Sequence, residues 1–211
     1  REHRVALVGG DTTGGPLSVT VQVLGFVPEG RGLRRTGGRP GDVVCVSGTP
    51  GDSSLGLDIE LGRAAPGGLD EAWLRDRFLY PQPRVALGLE LLDWASACID
   101  VSDGLAGDLR KLAAASGCAA VIDADRLPLS PALMRAAGIE RGIERALTGG
   151  EDFELCFTIP EDRLEAFAAA VPGEQRGWRP IGSLVRGSGV EVRRAGNVIQ
   201  VSTRGFDHFA R

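Results

Sequence analysis

The stretch that says most about the fold is Cys98-Ile99-Asp100-Val101-Ser102-Asp103-Gly104-Leu105. Its first four residues are apolar except for Asp100, and they predict a short strand. Leucines at helical spacing follow from Leu105 onward and predict a helix, with Ser102 or Asp103 as its N-cap. Asp100 would point to the opposite sheet face from its apolar neighbours. A carboxylate in such surroundings is rarely buried unless it is paired or metal-bound, and this favours metal ligation over a structural salt bridge.

The remaining pattern also mixes strands with helices. Apolar alternation and short apolar runs predict strands, whereas apolar residues three or four positions apart predict helices. Strands are expected at Leu17–Leu24, Val43–Ser47, Ala119–Asp123 and Glu154–Ile159, helices at Pro83–Ser96 and Leu164–Val171, and a hairpin around Ala195-Gly196-Asn197. The fold class predicted is therefore α/β (α+β), a mixed β-sheet flanked by helices.

Length and charge limit the classes of function. The chain has 24 Lys+Arg against 28 Asp+Glu, a net charge of −4, which argues against nucleic-acid binding. It has no apolar run of the roughly 18 residues that a membrane span needs, and no signal-peptide pattern. We therefore expect a cytoplasmic protein without membrane contact. Its four cysteines lie far apart in apolar stretches and predict reduced core residues.

Three clusters combine glycine with acidic residues: Gly9–Thr13, Asp100–Gly104 and Gly149–Asp152. Glycine permits close approach to the backbone, and carboxylates bind Mg²⁺ together with phosphate oxygens. The set indicates a metal-phosphate site, although for any one cluster alone a solvated turn is the more common interpretation.

A Walker P-loop is excluded, because Lys111 is the only lysine and follows no glycine loop. A triphosphate would then be held by arginine, backbone N–H groups and carboxylate-bound Mg²⁺. Arg34 and Arg35 are candidates for this contact, with a solvated turn as the alternative. Ser53 and Ser54 are candidates for phosphate donors or for capping the next segment.

Six ordered motifs together resemble the thiamine-monophosphate kinase family, within the aminoimidazole ribonucleotide synthetase-like superfamily. They are Gly9–Thr13, Leu33–Asp42, Gly48–Asp52, Ile99–Leu105, Leu147–Leu155 and Gly205–Phe209. The resemblance covers nearly the whole chain. It implies that most of an N-terminal domain is missing, that residues 1–28 are the C-terminal end of an ATP-binding domain, and that residues 29–211 are the C-terminal α/β domain. The absence of an initial Met agrees with a fragment.

The resemblance also implies roles for individual residues. Mg²⁺ and ATP are the implied cofactors, and thiamine monophosphate is the implied phosphoryl acceptor. No residue is implied as a nucleophile, and a homodimer is implied for the full-length protein. The residues implied to contact ATP are Gly10, Asp11, Arg35 and Ser102. Those implied to bind Mg²⁺ are Asp11, Asp100 and Asp103. Those implied to hold the thiamine moiety are Glu151 and Phe206, with Phe209 as the alternative to Phe206.

Two alternatives stay open. Another ATP-binding member of the superfamily would share the acidic motifs: a selenophosphate synthetase, an aminoimidazole ribonucleotide synthetase or a hydrogenase maturation protein. A non-catalytic binding domain is the second alternative. The Glu151 segment and the aromatic tail favour the thiamine enzyme over the former, and the intact acidic residues argue against the latter.

Overall fold

The computed structural model describes residues 5–201. The chain divides into two units, Arg1–Gly32 and Leu33–Arg211. In the first unit, residues 5–32 form no helix or strand, and the strand predicted at Leu17–Leu24 is wrong: Leu17 is 98% exposed. A strand needs a neighbour to satisfy its backbone hydrogen bonds, and within residues 5–201 no strand pairs with this segment.

The second unit is built on a mixed seven-stranded sheet in the order β2-β4-β1-β5-β3-β6-β7. Neighbouring strands are antiparallel except β3 and β6, which are parallel. The predicted mixed α/β fold is thereby confirmed. The strands are β1 Val43–Ser47, β2 Ala97–Val101, β3 Ala119–Asp123, β4 Glu154–Ile159, β5 Trp178–Val185, β6 Gly189–Arg194 and β7 Asn197–Ile199.

Seven α-helices are present among the described residues: α1 Asp52–Glu60, α2 Gly68–Leu79, α3 Val85–Leu91, α4 Leu105–Ala115, α5 Pro131–Thr148, α6 Leu164–Ala170 and α7 Gly173–Arg176. Helix α3 is shorter than the predicted Pro83–Ser96. Its C-terminal residues form tight i to i−3 turns, such as Trp94 N to Leu91 O at 3.1 Å, which lead the chain into β2. None of the helices in the described part of the chain is long and apolar enough to span a membrane.

The sheet buries side chains on both faces, as its alternating strands require. Val44 and Val46 pack with α4 and α5 in the larger core cluster, while the intervening Cys45 packs with α3 and α6 in the second. A third cluster joins α1, α2 and α5. All four cysteines are buried free thiols, as the sequence predicted.

The position of the candidate site follows from the pairing of β2 with β4. These strands are antiparallel, and the last residue of β2, Val101, pairs with the first residue of β4, Glu154. The segment that leaves β2 and the segment that enters β4 therefore meet at one end of the sheet. We call Ser102–Gly104 the first loop and Gly149–Phe153 the second loop.

A close helix contact gives a test of the packing. A Cβ atom added at Gly56 in α1 would lie 2.2 Å from the Leu74 carbonyl oxygen of α2, whereas one added at Gly88 in α3 would make an ordinary contact. We expect Gly56→Ala to lower the free energy of unfolding by about 1–3 kcal/mol through overpacking. Gly88→Ala should leave it unchanged or raise it by about 1 kcal/mol through helix propensity. Urea denaturation measures both, and equal effects would contradict the contact.

Candidate active site

The two loops are hydrogen-bonded directly to each other. The Glu151 N–H donates to the Ser102 carbonyl oxygen at 2.9 Å, and the Phe153 N–H donates to the Val101 carbonyl oxygen at 2.9 Å. These bonds extend the β2–β4 pairing beyond the strands. Ser102 and Glu151, which the resemblance links to ATP and to thiamine, are thus brought together by main-chain contacts.

Glycine makes this close approach feasible. A Cβ atom on Gly150 would lie 2.5 Å from the Ser102 carbonyl oxygen, and one on Gly104 would lie 2.9 Å from the Thr148 carbonyl oxygen. Gly104 also has a φ of +115°, which side-chain-bearing residues rarely adopt. In this structure the glycines of the acidic motifs therefore let one loop lie against the other.

The first loop is held by a carboxylate from inside helix α4. Asp108, which is buried, accepts hydrogen bonds from the Ser102 N–H at 2.9 Å and the Asp103 N–H at 3.0 Å. The N-cap of α4 is Gly104, which makes no side-chain capping bond, so the predicted capping by Ser102 or Asp103 is wrong. Because Asp108 reaches back from the first helical turn, neither side chain is needed as a cap.

The single lysine of the chain offsets part of the negative charge of Asp103 and Asp108. Lys111 Nζ lies 2.6 Å from Asp103 Oδ2 and 2.8 Å from Asp108 Oδ1. The two hydrogen bonds raise the pKa of Lys111, so it stays charged.

Asp100 is exposed, so the argument that a buried Asp100 must bind a metal does not hold. The pleat turns its side chain away from the core that buries Ile99 and Val101.

The second loop is held by two buried carboxylates, Asp152 and Glu154, which belong to predicted motifs but for which no individual role was predicted. Asp152 accepts hydrogen bonds from the Gly51 N–H at 2.8 Å and the Ser53 N–H at 3.2 Å, and so caps the N-terminus of α1. Burial raises the pKa of Asp152 to about 7 in spite of these bonds. The α1 cap is thus a residue about 100 positions away, and the predicted capping by Ser53 or Ser54 is wrong. Their hydroxyls instead donate to the carbonyl oxygens of Arg77 and Gly51.

The other buried carboxylate is Glu154, the first residue of β4. It accepts two hydrogen bonds from Arg84, at 2.6 and 2.5 Å, one from Arg77 at 2.7 Å and one from the Ser47 hydroxyl at 2.5 Å. We call these four residues the Glu154 cluster. Burial alone would raise the pKa of Glu154, but the bonds and charges of Arg84, Ser47 and Arg77 outweigh it and lower the pKa. Gly48 leaves room for this carboxylate, since a Cβ atom there would overlap it.

The contact made by Arg35 lies away from these loops. The Arg35 carbonyl oxygen accepts a bond from Ser116, which follows the end of α4 that is remote from Asp103. Gly10 and Asp11 are exposed residues of the first unit, where Asp11 Oδ1 accepts a bond from the Thr12 N–H. Phe206 and its alternative Phe209 lie outside the described residues.

The loop edge offers oxygen ligands but not a complete metal site. Asp100 is the second-last residue of β2, and Asp103 lies in the first loop, which follows β2. Both carboxylates therefore lie at the same edge of the sheet. Within residues 5–201 no three His, Cys, Asp or Glu side chains converge to hold a metal ion. Mg²⁺ prefers carboxylate oxygens, usually takes only one or two from protein, and keeps water or phosphate oxygens at its other positions. The residues present therefore fit a Mg²⁺ site in which protein carboxylates fill one or two positions and water or phosphate oxygens fill the others.

The fold and the site define an α/β domain with two paired acidic loops at one edge of its sheet. Comparison with known proteins assigns this domain to a family. The model of the AIR synthase related protein C-terminal domain matches residues 39–194. The chain therefore belongs to the AIR synthase-related family.

Within this family the chain is similar to thiamine-monophosphate kinases. It is 44% identical over 210 residues to the Salmonella typhimurium enzyme, covering 99% of this chain and 65% of that protein. The crystal structure of thiamine-monophosphate kinase from Stenotrophomonas maltophilia matches with a TM-score of 0.74 at 40% identity, over 82% of this chain and 56% of that one. The structure of AaThiL complexed with AMPPCP and TMP matches with a TM-score of 0.71 at 36% identity, over 84% of this chain and 54% of that one. The chain thus spans just under two thirds of the Salmonella relative.

The raised pKa of Asp152 leads to a pH-dependent prediction. Between its ordinary value of 3.8 and about 7, the unfolded chain has released the proton that the folded protein still holds. The contribution of Asp152 to stability is therefore complete at low pH and is lost as the pH rises through this window. We expect the stability of Asp152→Asn relative to the unmodified protein to increase with pH, by up to about 1.4 kcal/mol per pH unit.

Urea denaturation between pH 4 and pH 8 measures this difference. The exposed Ser188→Ala, which removes no ionisable group, is the control, and its difference should not vary with pH. A pH-independent difference for Asp152→Asn would contradict the assignment.

Proposed function

We propose that this protein transfers the γ-phosphoryl group of ATP to thiamine monophosphate and yields thiamine diphosphate and ADP. The observation that carries the proposal is the direct hydrogen bond between Glu151 and Ser102, which joins the loop proposed for thiamine to the loop proposed for ATP. The similarity to AaThiL, which was complexed with AMPPCP, an ATP analogue, and with TMP, supports both ligands. Residues 1–28 are proposed as the end of an ATP-binding N-terminal domain and residues 29–211 as the C-terminal domain.

The roles proposed for the individual residues follow the resemblance. Asp11, Asp100 and Asp103 are each proposed as Mg²⁺ ligands. Bound there, Mg²⁺ would neutralise phosphate charge and align the reacting groups. Gly10, Asp11, Arg35 and Ser102 would contact ATP, and Glu151 and Phe206 would hold the thiamine moiety.

The proposed reaction needs little acid–base catalysis by the protein. The acceptor is a phosphate oxygen that is already anionic, so it attacks the γ-phosphorus without losing a proton to a base. One P–O bond forms as the bond to the β-phosphate oxygen breaks, and ADP leaves with that electron pair. Alignment and charge neutralisation are therefore the proposed sources of catalysis, with Arg35 contributing a positive charge. We further propose a cytoplasmic homodimer for the complete gene product.

Calorimetry separates this proposal from its alternatives. Thiamine monophosphate and AMPPCP with Mg²⁺ are titrated separately into the complete gene product. Binding of both ligands supports the kinase. Binding of the nucleotide alone indicates a different activity within the superfamily, and binding of neither indicates a non-catalytic domain.

Removing one carboxylate charge tests the metal assignment. Asp103→Asn keeps the volume of the side chain but loses the charge proposed to bind Mg²⁺, so turnover of the complete gene product should fall at least about tenfold at limiting Mg²⁺. The fold should persist, because Lys111 retains its bond to Asp108. Circular dichroism checks the fold, and the exposed Asp76→Asn serves as the control. Unchanged turnover of Asp103→Asn would refute the role.

A further inference from the structure

The second loop holds an unfavourable backbone conformation. Among residues 5–201, only three non-glycine residues have a positive φ, and two of them are Glu151 at +69° and Phe153 at +49°. The third, Ala195, lies in the tight turn of the β6–β7 hairpin. A left-handed residue other than glycine costs on the order of 1 kcal/mol, so two of them within three positions need support from the surrounding structure.

That support comes from both sides of the loop. Asp152, between the two left-handed residues, is tied to the N-terminus of α1. Glu154, directly after Phe153, is tied by its cluster to β1, α2 and the segment that precedes α3. The side chain of Glu154 is fully buried. The backbone at Glu154 is therefore fixed by a carboxylate that has no alternative solvated position.

Arg84 is the member of the cluster that can be removed most safely. Its side chain is 28% exposed, compared with 8% for Arg77. If Arg84 is lost, Glu154 still has Arg77 and Ser47 as partners, so no unpaired buried charge results. Two N–H groups of Arg84 reach both oxygens of the carboxylate, and this fork fixes the carboxylate plane as a single donor cannot. Loss of Arg84 should thus loosen the carboxylate rather than unfold the domain.

We propose that Arg84 and Glu154 are positioning residues for substrate: their ion pair holds the second loop in its left-handed conformation and so presents Glu151 beside the first loop. This inference rests on the proposed function, because Glu151 is the residue proposed to hold the thiamine moiety. Arg84 acts through Glu154 and touches no substrate. It determines the affinity for thiamine monophosphate while leaving that for ATP unaffected, because Asp108 holds the first loop independently.

The test uses Arg84→Met in the complete gene product. Its KM for thiamine monophosphate should rise about tenfold, with the KM for ATP in excess Mg²⁺ unchanged within about twofold. Arg135→Met is the matched control, because Arg135 makes the same two-pronged contact with Asp70, at 2.8 and 2.7 Å, on an exposed surface. The control should change neither KM. Equal increases in both KM values for Arg84→Met would overturn the proposal and indicate general destabilisation.

A double-mutant cycle distinguishes positioning from direct contact. If Arg84 acts only by presenting Glu151, then Arg84→Met should have no further effect on the KM for thiamine monophosphate once Glu151→Ala is present. A persistent tenfold effect in that background would mean that Arg84 contacts the substrate itself, and the positioning role would be wrong.

Amide hydrogen exchange gives a readout that needs no activity. In the 211-residue chain, Arg84→Met should accelerate exchange at Glu151 and Phe153 at least about fivefold while exchange at Ser102 and Asp103 stays unchanged. If the unmodified gene product lacks kinase activity, the proposed function fails, whereas the exchange result still tests whether Arg84 holds the loop. Unchanged exchange at both second-loop amides would overturn that structural role.

Discussion

The antiparallel pairing of β2 with β4 is the constraint on which the candidate site depends. The pair ends with Val101 opposite Glu154, and the hydrogen bonding continues into the two loops. Because β2 leads out of the sheet where β4 leads in, the acidic residues after one strand meet the residues before the other. Segments about 50 positions apart in the chain therefore form one edge of the sheet. The buried carboxylates of Asp108, Asp152 and Glu154 hold the two loops at that edge by accepting hydrogen bonds.

The local signals in the sequence were sufficient for the strands with apolar runs, such as β1 and β3, and for the helices α4 and α6. They were insufficient for β5, which contains Pro180 and Gly182, two residue types that are depleted in strands. Helix α5 was also missed, because Gly138 interrupts its helical geometry with a φ of +76°. The reverse error occurred at Leu17–Leu24, where an alternating pattern is present but no strand within residues 5–201 pairs with it.

The site was predictable only where residue type alone carries the signal. Acidic residues beside glycine pointed to Asp100, Asp103 and Glu151, and the structure brings the two segments together. The Glu154 cluster was not predictable, because its members come from β1, α2, the segment before α3 and β4, and no spacing in the sequence links them. Buried charges of this kind become apparent only when folding removes each of them from water and supplies partners.

Amide hydrogen exchange tests most directly whether the two loops meet at one edge of the sheet. We expect the Glu151 and Phe153 N–H groups, which donate to the Ser102 and Val101 carbonyl oxygens, to exchange at least about tenfold more slowly in the folded 211-residue chain than after denaturation in urea. Exchange of both amides at the rate of the denatured chain would contradict the contact between the loops.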